Sequence, residues 1–198
     1  MDKTKSKNIS KLHLGCGKNI LEGWINLDSV ALNGVDVVAD LDDCANTPLP
    51  FEDDSIEEFL GSHLLEHLHN PLPFMQELHR ISKNKAKAVF RVPYGSSDDA
   101  YEDPTHVRKY FIGSFGYFSQ PFYWRADYGY KGDWKTETII LMVPKEKYTG
   151  KTADEIMDDV KTHRNVVREM IAILISTKPI RPPQKELQDP VKIELKLV

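Results

Sequence analysis

Apolar positions along this chain fall into short clusters, and their spacing alternates between the two-residue period of strands and the 3.6-residue period of helices. Ile9–Leu14 and Trp24–Leu27 predict two short strands, and Val35–Ala39 a third that ends at Asp40. Leu41–Pro50 reads as a loop with acids and prolines, and Ile56–Gly61 as a fourth strand whose start is weakened by Glu57 and Glu58. Asn70-Pro71 opens a helix, with Asn70 as N-cap and Pro71 in the first turn. Its apolar face is Phe74, Leu78 and Ile81, and Asn84 ends it. Ala86–Val92 predicts a fifth strand stopped by Pro93, and Trp134–Val143 another. Thr152 and Glu155 form a capping box that starts a long helix. The buried stripe expected for that helix is Ile156, Val160, Val167, Met170, Ile171 and Leu174. After a proline-containing connection, Lys178–Pro190, the run Val191–Val198 alternates as a half-buried final strand. Strands alternating with short helical or loop segments predict an α/β fold with a largely parallel sheet.

A chain of 198 residues suits one α/β domain, taken here as 8–198 with 1–7 a loose polar tail. The net charge of −4 gives no global basic field toward nucleic acid or anionic membrane. Two cysteines, Cys16 and Cys44, make no disulfide framework and fit a reducing compartment. The longest apolar run, Met170–Ile175, has six residues, far short of a membrane span. The N-terminal M-D-K-T-K-S-K-N lacks an apolar signal core. The expectation is a cytoplasmic protein with no membrane partner.

The chemistry concentrates first in Lys11–Asp28, where an apolar run, the turn Gly15-Cys16-Gly17, a second apolar run and Asp28 follow one another. Strand, glycine turn, strand, carboxylate is how an α/β sheet builds a nucleotide site. The glycines admit a ligand close to backbone, and the acid accepts ribose hydroxyls. A nicotinamide site is disfavoured, because the third-glycine position is Ile20 and Asp28 comes too early. The gap between these strands is too short for a full crossover helix and predicts at most a turn or two at Lys18–Leu21. Asp28 and Asp40 would each pass singly for turn acids; together, after a glycine loop, they read as ligand groups. The Cys16 thiol reads as a small group facing the sheet interior.

The ordered segments L-H-L-G-C-G, G-W-I-N-L-D, D-L-D-D, L-P-F-E-D-D-S-I-E-E, S-H-L-L-E-H-L and V-P-Y resemble class I S-adenosylmethionine-dependent methyltransferases. The likeness is greatest to a small, compact group met among polysaccharide-biosynthesis and phage proteins. It covers Leu12–Pro93, thins through Asp103–Arg108 and is only topological beyond. It implies a Rossmann-like, seven-stranded, mostly parallel sheet with an antiparallel last strand, flanked by helices. Val191–Val198 would be that reversed strand, beside Trp134–Val143, with 150–178 a helical insertion. The cofactor implied is S-adenosyl-L-methionine. Gly15, Cys16 and Gly17 would approach its methionine part, Asp28 its ribose, Asp40 its adenine amino group, and Leu41 the adenine ring. Ser62 and His63 would line it near the methyl group. His13 stands where the family commonly has an acid, and Asn19 where a third glycine often sits.

Methyl transfer asks little of side chains, since orientation alone can lower a barrier by roughly 7–11 kcal/mol. The proton acceptors expected are His106 and His63, with Tyr94 just past the fifth strand facing the same cleft. Asp103-Pro104-Thr105-His106-Val107-Arg108 falls at the carboxyl edge of the sheet, where such sheets bind ligands. There Arg108, Asp103 and Tyr110 would bind substrate. Otherwise Asp103 and Arg108 form a loop salt bridge and His106 caps a helix. Ten of the chain's nineteen aromatic residues lie in Tyr110–Tyr130. Within 94–130 they could wall a substrate site or simply pack a loop-rich subdomain. Only Arg125 interrupts that run, so nucleic acid is disfavoured. The acceptor expected is a hydroxyl or amine of a small-molecule or glycan-like group, and the aromatic segment or the insertion could form a homodimer contact. Two rivals remain. His63-Leu64-Leu65-Glu66-His67 matches the H-x-x-E-H pattern of zinc hydrolases, although Asn70-Pro71 follows too soon for the long helix that motif needs. A non-catalytic binding module that keeps the fold is the other.

Overall fold

In the computed structural model, which describes residues 10–126 and 128–198, eight strands form one sheet in the order β3-β2-β1-β4-β5-β7-β6-β8. They are β1 (Lys11–Leu14), β2 (Ile25–Asp28), β3 (Val37–Val38), β4 (Ile56–Ser62), β5 (Ser82–Pro93), β6 (Trp134–Val143), β7 (Glu169–Ser176) and β8 (Lys192–Leu197). The helices are α1 (Pro71–Ile81), α2 (Asp99–Glu102), α3 (Lys145–Tyr148) and α4 (Ala153–Thr162). The tail expected at 1–7, and Ile9 of the first expected strand, lie outside the described residues. β1 through β5 run parallel to one another, with Leu14 opposite Leu27 on β2 and Gly61 on β4. β7 alone is reversed, paired antiparallel to both β5 and β6. The α/β class and the mostly parallel sheet therefore stand, with one strand more than expected.

Two local expectations need correction. The long helix from Thr152 stops at Thr162, and Glu169–Ser176 is a strand. The stripe Val167, Met170, Ile171 and Leu174 fits helical spacing, but Ile171, Ile173 and Ile175 also alternate, and β-branched residues favour a pleated surface. Buried Met170, Ala172 and Leu174 lie on the other face of that pleat. The reversed strand is thus β7, inside the sheet. Val191–Val198 supplies β8, which runs parallel to β6 at the edge, with Ile193 and Leu197 exposed. The segment 18–21 holds no helix, within the expected limit of a turn or two, and Asn26 bonds to its backbone. Its Oδ1 accepts from the Leu21 amide at 2.9 Å, and its Nδ2 donates to the carbonyls of Leu21 (3.1 Å) and Trp24 (3.2 Å).

The core lies on both faces of the sheet. α1 buries Phe74, Met75, Leu78 and Ile81, and Trp134, fully buried, packs edge-on against Phe59 and donates from Nε1 to the Met75 carbonyl at 2.9 Å. Asn70 stands at the N-cap of α1, but its side chain caps nothing. Its amide donates instead to Asp42 Oδ1 at 2.8 Å, tying the loop after β3 to α1. The aromatic segment divides between two roles. Tyr110, Phe115, Phe118, Tyr123 and Tyr130 are buried, whereas Phe111, Tyr117, Trp124 and Tyr128 are exposed.

Candidate active site

Parallel strands bring their carboxyl ends to one edge, and the loops after β1, β2, β4 and β5 meet there. Gly15 and Gly17 both take positive φ, +60° and +52°. Gly15 lies against Leu64, where an added Cβ would come within 3.0 Å of Cδ1. Nothing lies within 4 Å of the Cβ position of Gly17, so that backbone is open to a ligand. The Gly17 amide donates to Asp28 Oδ2 at 2.7 Å, and the Val30 amide to Asp28 Oδ1 at 3.1 Å. The half-buried carboxylate at the end of β2 is held in one orientation by backbone and keeps a free lone pair on each oxygen. Such an acid, beside an open glycine turn, fits a pair of vicinal hydroxyls. Cys16 is buried, and burial pushes its thiol up, with Asp28 adding to the effect. Its sulfur is inert packing.

Asp40 is exposed and accepts from the Asp42 amide at 2.9 Å, capping a single 3₁₀ turn. Leu41, expected against an adenine ring, is instead 5% exposed and part of the core. The exposed Val30 and Val38 are the apolar groups on that side that a flat ring could cover, Val30 two residues past Asp28. His13 is buried and faces Asn26 Oδ1 at 3.2 Å, so it serves the turn of 18–24 rather than a ligand.

Ser62 ends β4, half-buried, and His63 follows in a left-handed conformation, φ 51°. The His63 side chain stands out from the edge and is gripped by two carboxylates: Nδ1 is 3.2 Å from Glu66 Oε1, and Nε2 is 2.9 Å from Glu169 Oε1. Arg91 donates from Nε to Glu169 Oε2 at 2.9 Å. Glu169 was hidden from sequence reading by the false helix. Arg91 could have been suspected, since it lies directly before the V-P-Y at the end of β5. Both line a cavity of about 590 Å³ with Asp99, Met142, Glu146 and Arg168, on the same edge of the sheet.

The segment 103–108 folds back onto the turn after β4, because the amides of Val107 and Arg108 both donate to the Glu66 carbonyl, at 2.9 and 3.0 Å. The alternative reading of a loop salt bridge between Asp103 and Arg108 does not hold. Asp103 accepts from the Thr105 amide and hydroxyl, and Arg108 Nη2 donates to the His69 carbonyl at 2.5 Å. His106 turns inward, its ring edge-on to His67 at 4.8 Å between centroids, with only 9% of its side chain exposed. Tyr110 is buried and spends its hydroxyl on the Leu65 carbonyl at 3.2 Å, so its expected substrate role gives way to a packing one. Tyr94 is buried edge-on against Phe111, and burial raises its phenol. Arg108 lines a separate, mostly apolar hollow with Leu72, Tyr117 and Tyr128. The H-x-x-E-H segment does not build the hydrolase site. Leu65–His67 is one 3₁₀ turn, and His63 lies outside it on Glu169.

No protein-family model matches the chain, and no curated protein matches it. Solved structures do. A SAM dependent methyltransferase from Archaeoglobus fulgidus superposes with a TM-score of 0.58 at 14% identity, over 84% of this chain and 85% of that one. A possible histamine N-methyltransferase from Thermotoga maritima gives 0.52 at 13% identity, over 85% and 81%. Phosphoethanolamine N-methyltransferase 2 of Haemonchus contortus, in complex with S-adenosyl-L-methionine, gives 0.52 at 10% identity, over 85% of this chain and 48% of that one. The chain has the fold of class I S-adenosylmethionine-dependent methyltransferases.

Proposed function

We propose that the protein is an S-adenosylmethionine-dependent methyltransferase acting on a hydroxyl or amine of a small-molecule or sugar-like acceptor. The observation that carries this reading is Asp28, fixed by the Gly17 and Val30 amides at the carboxyl end of β2 beside an open glycine turn. In this reading Gly15–Gly17 borders the methionine part, Asp28 binds the ribose hydroxyls, and Asp40 with Val30 or Val38 meets the adenine. When bound, the cofactor supplies an electrophilic methyl group and its own leaving group. The chain's task is then to position the acceptor and take a proton. His63 is the group placed to take it, since it stands out from the edge beside the 590 Å³ cavity. In this reading the acceptor displaces Glu169 from Nε2, Glu169 stays on Arg91, and Nε2 takes the proton while Glu66 keeps the Nδ1 side. His106, turned toward the interior, is the weaker choice for a base. Arg91 and Arg168, among Asp99, Glu146 and Glu169, give the cavity a mixed charge suited to a polar acceptor.

The test is transfer of labelled methyl from S-adenosyl-L-methionine to panels of amines and of polyhydroxylated small molecules. Incorporation into one panel, lost on removal of the protein, is expected. His63→Ala should lower turnover by about 10²–10⁴-fold and leave the affinity for S-adenosylhomocysteine unchanged. Full turnover in that variant removes His63 from the mechanism.

A further inference from the structure

We propose that Glu66, His67 and His106 bind one divalent transition-metal ion at the substrate side of the cleft. One donor atom from each of the three lies within 4.8 Å of the others. A tetrahedral ion with bonds of about 2.0–2.2 Å sets its donors about 3.4 Å apart. Each side chain therefore closes inward by less than about 1 Å. The arrangement brings together residues nearly forty positions apart in sequence, and the two amide bonds to the Glu66 carbonyl hold the 103–108 loop in place for it.

Two polar atoms of this cluster, Glu66 Oε2 and His106 Nδ1, are left without partners among the described residues in a way that a bound cation would resolve. Glu66 is 2% exposed, and neither of its carboxylate oxygens has a hydrogen bond among the described residues. Oε1 has the His63 ring nitrogen at 3.2 Å, and Oε2 has no such neighbour. His106 Nδ1 is likewise buried with no hydrogen bond among the described residues. A buried carboxylate oxygen with no hydrogen bond is costly, and native structures leave few such atoms. His67 is already set as a ligand. The Thr105 hydroxyl donates to Asp103 Oδ1 at 2.6 Å, so at 3.0 Å it accepts from His67 Nδ1. That tautomer, assigned from the network, leaves Nε2 with its lone pair free. A carboxylate-backed hydroxyl on the far nitrogen of a histidine is the outer-shell support that metal ligands use.

Two imidazoles and one carboxylate suit zinc, cobalt, manganese or iron better than magnesium or calcium. Three protein ligands leave at least one position open. Resting on the methyltransferase reading, that open position would take an oxygen of the acceptor, beside His63. The constellation is not the H-x-x-E-H hydrolase set, because His63 is replaced by His106 from a distant loop.

Calorimetric titration of the chelator-treated full chain with Zn²⁺ tests the site, with Co²⁺ as a spectroscopic probe. One equivalent should bind, with a cobalt d–d band saturating at the same point. Glu66→Gln and His106→Ala should each weaken binding at least tenfold, and Thr105→Val, which removes only the outer support, by roughly 10–100-fold. His69→Ala, at an exposed histidine paired with Asp42, should change nothing. No stoichiometric binding, or equal weakening by His69→Ala, overturns the proposal. Thermal melts identify any variant that fails to fold, and the others then decide. S-adenosylhomocysteine titrated into the same samples keeps the two readings apart. Metal without the cofactor product leaves the metal site and removes the methyltransferase; the product without metal does the reverse.

Discussion

Glu66 shows what single residues are asked to bear. Burial pushes its carboxyl above the ordinary value of 4.5, while its own backbone amide and then His63, His67 and His106 pull it back. Between 4.5 and the raised folded value, the native state keeps a proton that the unfolded chain has released. Stability contributed by this group is therefore lost as pH rises through that window. In the chelator-treated protein, Glu66→Gln should raise the melting temperature at neutral pH, and the difference should vanish once the pH falls below the ordinary carboxylate range. A lower melting temperature at neutral pH would contradict this. Gly15 is the converse case, a residue that cannot be changed cheaply. Gly15→Ala adds a left-handed conformation costing about 1–2 kcal/mol and a 3.0 Å approach to Leu64. Urea unfolding should report at least that loss. Single residues were legible in unequal measure. The turn at Gly15 and Gly17 and the acid beside it, Asp28, could be read because backbone conformation and chain order place them. Leu41 and Tyr110 could not, because which way a side chain turns depends on packing from distant segments.

Among the elements, β7 is where periodicity misled. Met170, Ile171 and Leu174 satisfy helical spacing while Ile171, Ile173 and Ile175 satisfy strand spacing, and short apolar runs do not separate the two. What decides is the open slot between β5 and β6, which a strand fills by pairing on both sides. That information lies in the sheet and not in the segment. The start of α4, by contrast, was readable, because its capping box is local. Thr152 Oγ1 accepts from the Glu155 amide at 3.3 Å, and Glu155 accepts from the Thr152 amide at 2.7 Å. Thr152→Ala should cost about 1 kcal/mol, measured by denaturant midpoint, with no effect on ligand binding. Mistaking β7 for helix also hid Glu169, which follows directly from its pairing, since Pro93 and Met142 are its partners at the carboxyl edge.

On the scale of the whole molecule, the aromatic segment is fastened to the sheet through Asp133. This carboxylate is fully buried and accepts from Arg181 Nε at 2.8 Å and Nη2 at 2.9 Å, from the Ser119 hydroxyl at 3.2 Å and from the Gln120 amide at 3.3 Å. It ties the aromatic segment and the connection after β7 to the start of β6. Asp133→Ala leaves Arg181 without its main partner and should cost about 3–5 kcal/mol; a loss under 1 kcal/mol in urea unfolding would show the tie to be dispensable. The central claim, however, is that the edge formed by β1 and β2 holds S-adenosylmethionine. Calorimetric titration of S-adenosylhomocysteine into the wild-type protein and into Asp28→Ala, with NAD as control, tests it most directly. Stoichiometric micromolar binding to the wild type is expected, none of NAD, and a loss of at least tenfold in Asp28→Ala with the melting temperature little changed. Absent binding, or equal affinity in the two proteins, would contradict it.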